Sequence, residues 1–186
     1  MATDTEHVGR RPASRWRIAA WGGAAALVLL PLAAMQFTQE VNWGLADFMF
    51  AGVPVGGVGL AYELAVRVTS SRAYRAGVAV ALAAAFILVW INLAVGIIGS
   101  EDNPANLMYG GVLVVALLGA MLARFRPRGM ARALVATAVA QVAVAVIALV
   151  AGLGFTGPVT VFFGGLWLAS ARLFRKAAQE RDAQLH

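Results

Sequence analysis

Seven oxygen-bearing side chains, Glu40, Asp47, Asn92, Glu101, Asp102, Asn103 and Asn106, fall within or beside long apolar runs, with no lysine or arginine among them. Carboxylate and amide oxygens without a competing cation suit a hard metal ion, so a weak Ca²⁺ or Mg²⁺ site is the metal chemistry this set allows. The 101–106 segment also has a plainer assignment. Asn103 followed by Pro104 reads as an N-cap and first-turn pair, and Glu101 and Asp102 suit the positive end of the helix opening there. Capping and solvation are therefore expected for Glu101 to Asn106. Asn92 sits about 10 Å below the end of its run and calls for a hydrogen bond from another helix. No resident metal and no cofactor are expected.

Other chemistry is scarce. The two histidines, His7 and His186, are terminal, which removes histidine-ligated haem, a histidine zinc site and a Ser-His dyad from the apolar region. With no cysteine in the chain, disulfides, thiolate nucleophiles and sulfur-bound metals are excluded. Lys176, the sole lysine, lies near the C-terminus, away from any buried serine it would activate. HExxH, GxSxG and P-loop patterns are absent. Gly152, Gly154 and Gly157 spell GxGxxG, but they join two apolar runs instead of following a strand, so a turn is expected there. The chain is not expected to be an enzyme, and it offers no catalytic residue.

The elements holding these residues are set by hydrophobicity and charge. Of the 186 residues 61% are hydrophobic and 13% charged, with a mean hydropathy of +0.77, far from the composition of a water-soluble domain. All 15 basic residues fall in four clusters, at 10–17, 67–75, 124–132 and 172–181. Each gap is roughly forty to fifty residues, enough for two helices of about 20 residues and a turn. Basic residues are retained in the cytosol. The expected fold is thus an all-α polytopic membrane bundle of six transmembrane helices arranged as three hairpins, with both termini cytoplasmic. Its parts are a basic tail at 1–17, a transmembrane domain at 18–173 and a C-terminal tail at 174–186. The net charge of +6 is spread over four membrane-flanking segments. Anionic lipid headgroups are therefore the expected partner, each base contributing on the order of 1 kcal/mol; nucleic acid is not.

The spans are placed at 18–36, 45–66, 76–98, 105–123, 133–151 and 159–173. The first is too long for a usual signal sequence and lacks a small-x-small cleavage site, so it is read as retained. The returning helices open alike, with Phe50-Ala51-Gly52, Tyr109-Gly110-Gly111 and Phe163-Gly164-Gly165, which raises a triplicated hairpin as one possibility. Helix 2 carries Gly52, Pro54, Gly56, Gly57 and Gly59. Gly52 and Gly56 have the small-xxx-small spacing that lets helix backbones approach, and packing is the favoured role over a Pro54-broken helix lining a site. Glu63 and Asp47 of that helix are separated by about 24 Å and cannot share a site; Glu63 is expected to pair with Arg67 one turn on. Thr137 and Gln141 share a helix face toward the bundle. Trp16, Trp21 and Trp43 fit interfacial belts, and Trp90 and Trp167 are expected to pack inside.

The segment Gly99-Ser100-Glu101-Asp102-Asn103-Pro104-Ala105-Asn106-Leu107-Met108-Tyr109 resembles part of a family of small uncharacterised bacterial inner-membrane proteins with no assigned activity. The resemblance implies a bacterial inner membrane and carries no functional residues. The expected function is an accessory or self-associating component acting through helix contacts, with an acidic outward face and either a second copy or another membrane protein as partner. The alternative is a small transporter or channel for a cation or small solute, its path lined by helix 2 with Asp47 and Asn92.

Overall fold

The computed structural model describes residues 15–37 and 43–184. It is all-helical: α1 (Arg15–Ala34), α2 (Leu45–Val68), α3 (Arg72–Ala94), α4 (Leu107–Leu122, preceded by a 3-10 turn at Pro104–Asn106), α5 (Pro127–Val150) and α6 (Gly157–Ala183). The helices α2 to α6 are long and apolar enough to cross a bilayer, while α1 has a shorter apolar stretch, Trp21–Ala34. This is the build of a multi-pass membrane helical bundle.

Several boundaries differ from those expected, each for a local reason. Helix α5 begins at Pro127, six residues earlier than expected; the proline both keeps α4 from running on into α5 and opens the new helix, where its missing N–H costs nothing. Helix α3 begins earlier, capped by Ser71, whose hydroxyl accepts from the Tyr74 N–H, and it stops at Ala94. Gly96, at φ +73°, then turns the chain. Pro31 and Pro54 lie inside α1 and α2 without interrupting them, so α2 is not a broken helix. The segment 174–183 continues α6, an extension of helix 6 that the sequence already suggests, but Phe174, Ala177 and Ala178 are buried within it.

The chain divides into two compact units, Met1–Gly59 and Leu60–His186. In the first, α1 runs beside the start of α2. A Cβ on Gly59 would lie 3.0 Å from the Trp21 ring, and one on Gly52 would lie 3.9 Å from Val28 Cγ1. The two pairs are seven residues apart on each helix, which defines an antiparallel seam.

The second unit has the core. Helix α6 packs on both α5 and α3, and α4 packs on α5, around Leu88, Ile98, Tyr109, Val112, Leu134, Phe163, Trp167 and Phe174. Two glycines mark close approaches between helices. A Cβ on Gly77 would stand 3.1 Å from the Phe174 ring, and one on Gly119 would stand 2.7 Å from the Ala133 Cβ. Backbone proximity at small residues is the main route to tight helix packing in lipid. The Ser170 hydroxyl adds a hydrogen bond across α6 and α3 to the Gly77 carbonyl, at 2.7 Å.

Candidate functional site

At one end of the second unit the connection from α3 to α4 is organised by Asn106. Once α3 has ended, the N–H groups of Ile97 and Ile98 have no helical acceptor, and buried backbone donors must find one. Asn106 Oδ1 accepts from both, at 3.0 and 2.9 Å, while its Nδ2 donates to the Ser100 carbonyl at 2.7 Å and the Ile98 carbonyl at 3.4 Å. All the bonding capacity of the amide is thereby used. The residue is 4% exposed, a correction to the solvated role expected for it. Asn92 finds a partner in the turn ahead of α4, not on another membrane helix: its Nδ2 donates to the Asn106 carbonyl at 3.1 Å, while its Oδ1 is buried without a partner. Asn103 behaves as expected, capping the short turn through the Ala105 N–H at 3.0 Å. Glu101 and Asp102 face outward from the loop.

Asp47, the acidic residue expected from helix 2, has a local partner. Asp47 is the third residue of α2, and its carboxylate accepts from the Gly44 N–H at 2.8 Å, just ahead of the helix. That is the reciprocal half of a capping box, placed where negative charge suits the helix end. Glu40 lies outside the described residues. Among the described residues no three His, Cys, Asp or Glu side chains are grouped as a metal ion would require.

At the other end of the second unit three chain segments rich in arginine converge. Ser71 Oγ, between α2 and α3, donates to Glu180 near the end of α6 at 3.0 Å. The Tyr74 hydroxyl donates to the Phe125 carbonyl in the α4–α5 turn at 2.7 Å, and Arg128 pairs with Asp182. Arg75 donates to the carbonyls of Val66 and Thr69, and Arg67 pairs with Glu63 at 2.6 Å, as the i,i+4 spacing implies. The α4–α5 turn holds Arg124 and Phe125 at positive φ, 47° and 56°. Such geometry costs roughly 1–2 kcal/mol per residue without glycine. Offsetting bonds run from the Phe125 N–H to the Ala120 carbonyl and from Tyr74 to Phe125. Arg72, Arg124, Arg126, Arg132, Arg172, Arg175, Lys176 and Arg181 all remain outward-facing.

Between these ends the interior is not purely apolar. Thr137 and Gln141, on one face of α5, are both 0% exposed. Thr137 satisfies itself by donating to the Ala133 carbonyl at 2.9 Å. Gln141 does not: neither its oxygen nor its nitrogen has a partner, and the indole N–H of buried Trp167 on α6 also lacks one. Leaving one such group unpaired in an interior costs about 1–3 kcal/mol. Trp167 is buried as expected, whereas Trp90 faces outward and stacks on Phe86 with ring centroids 5.9 Å apart. The buried hydroxyls of Tyr109 and Thr156 are likewise without partners. Asn106 and Trp167 are the residues whose polar roles sequence reasoning missed. For Trp167 the available signal was an indole N–H embedded in the apolar run 161–168, whereas Asn106 lies in the polar segment 100–106 and carried no signal beyond its amide.

The glycines of helix 2 divide. Gly52 and Gly59 serve the seam with α1, whereas a Cβ on Gly56 or Gly57 would meet nothing within 4 Å, as would one on Gly22 or Gly23 of α1. Among the described residues up to 59, Ala51 is the one residue of the buried class. GxGxxG at 152–157 forms the α5–α6 loop, with Gly152 and Gly154 at positive φ. Taken together, these groups supply hydrogen bonding, close packing and a basic end. Comparison with protein-family models, curated proteins and solved structures returns no match for the chain.

Proposed function

We propose that this chain is an accessory or self-associating component of a bacterial inner membrane, working through helix contacts of its α1–α2 hairpin. The observation that carries this reading is the coreless first unit. Its two helices touch at Trp21–Gly59 and Val28–Gly52, yet the glycines between, Gly22, Gly23, Gly56 and Gly57, lie bare. Around them Leu27, Leu30, Met49 and Val53 face outward. Lipid gains little by covering a glycine backbone, while another helix gains close van der Waals contact along it. The basic end lies in the cytosol against anionic headgroups and the acidic Glu101–Asp102 loop lies outside, as retention of arginine on the cytoplasmic side dictates. The resemblance of 99–109 to small bacterial inner-membrane proteins supports the location.

A transport path along helix 2 is less well supported, because Asp47 serves its own helix end and Pro54 leaves the helix unbroken. The deciding experiment uses two differently tagged copies in native membranes. With Gly56→Leu, copurification of the second copy or of an endogenous membrane partner is expected to fall about tenfold or more, equivalent to at least about 1.4 kcal/mol, with insertion unchanged. Proteoliposomes of the wild type are expected to show no cation flux. Retained copurification together with a flux abolished by Asp47→Asn would reverse the assignment.

A further inference from the structure

Gln141 and Trp167 occupy the same depth of the second unit. Gln141 lies nine residues before the end of α5 and Trp167 ten residues after the start of α6, so both stand about 14–15 Å from the end where the two helices join. Gly164 is one turn from Trp167 on α6 and is itself buried. Unlike Gly77 and Gly119, where a Cβ would collide with the neighbouring helix, Gly164 has nothing within 4 Å of its Cβ position. Gly164 therefore borders open space of about methyl size one turn from Trp167, whose indole N–H is unpartnered, and the Gln141 amide at the same depth is unpartnered as well. Because Gln141 is 0% exposed, no helix docking on the outside can supply the missing bonds.

The occupant is defined by its hydrogen bonds. It must accept from the Trp167 Nε1–H and the Gln141 Nε2–H and also donate to Gln141 Oε1. A hydroxyl does both; a carbonyl only accepts and an ammonium only donates. The buried polar residues of this unit, Asn106, Thr137, Gln141, Thr156, Thr160 and Ser170, are all uncharged, which disfavours an ion. We infer that the interior between Gln141, Gly164 and Trp167 is a binding site for a hydroxyl group, that of water or of a small alcohol. The site lies wholly in the second unit, so it stands or falls separately from docking by the α1–α2 hairpin.

The test is ¹⁵N solid-state NMR on the full chain in lipid bilayers, following the Trp167 indole and the Gln141 side-chain amide. In the wild type, magnetisation is expected to transfer from water to both groups and the indole hydrogen to exchange with deuterium. If a small alcohol is taken, titrated ethanol shifts both signals saturably; if water alone is held, the transfer persists without such a shift. Gly164→Ala, which fills the gap at a helical position, is expected to slow indole exchange about tenfold or more. Gln141→Leu is expected to abolish transfer to Trp167 and to lower the thermal midpoint, since the indole loses its bridged partner. Absence of transfer, exchange and ethanol response in the wild type would overturn the site. A rise in midpoint with Gln141→Leu would overturn it too, as would exchange unaltered by Gly164→Ala.

Discussion

Asn106 is the side chain on which most backbone depends, since it alone satisfies the N–H groups of Ile97 and Ile98 and ties down Ser100. Asn106→Leu keeps the volume but strands two donors in a buried turn. It is expected to destabilise by about 2–5 kcal/mol, from unpaired groups at about 1–3 kcal/mol each, read as a lowered unfolding midpoint in detergent. Asn103→Ala, which removes only the bond to Ala105, serves as the mild control at about 1 kcal/mol. Residues of this kind are legible in the sequence when their partners are local. Asn103 before Pro104 and Glu63 four before Arg67 depend on nothing beyond their own turn of helix. Asp47 is also local: helix 2 is expected to start at 45, which makes Asp47 its third residue, and its carboxylate accepts from the Gly44 N–H just ahead of that start. Asn106 and Gln141 are harder, because their environment is fixed by where α3 stops and by which faces of α5 and α6 meet.

The helices themselves are legible as apolar runs of sufficient length, and their ends are read less well. Charged residues pull the expected start of α5 inward, since it begins at Pro127 and Arg128 is a helical residue that reaches Asp182; α6 runs on to Ala183, as an extension of helix 6 through the tail would have it. The seams between elements leave almost no trace in sequence, since one glycine among 20 looks like another. The structure separates them by what a methyl group would meet. Gly119→Ala puts a Cβ 2.7 Å from that of Ala133 and is expected to cost about 1–3 kcal/mol of overpacking, more than the roughly 1 kcal/mol gained from helix propensity. Gly110→Ala, on the open side of the same helix, keeps the gain without the clash. The unfolding midpoints of the two variants should therefore move in opposite directions from wild type.

At the scale of the whole molecule, the proposed orientation rests on charge. The segments 67–75, 124–132 and 172–181, far apart in sequence, are joined at one end of the second unit by Ser71–Glu180, Tyr74–Phe125 and Arg128–Asp182. The Asn106 end of that unit carries outward-facing Glu101 and Asp102 instead. This polarity is legible from the spacing of arginines, because the basic residues of the loops set which side they stay on. The proposed role, with a basic end held at the cytosolic headgroups and a bare hairpin left for a partner, rests on that orientation. The chain has no cysteine, so one introduced at a time reports alone. Glu101→Cys and Arg126→Cys, labelled in intact cells with a membrane-impermeant maleimide, read the orientation without any intermediate step. Glu101→Cys is predicted to react at once and Arg126→Cys only after permeabilisation; the reverse order, or equal reaction of both, would refute the proposed orientation and the role built on it.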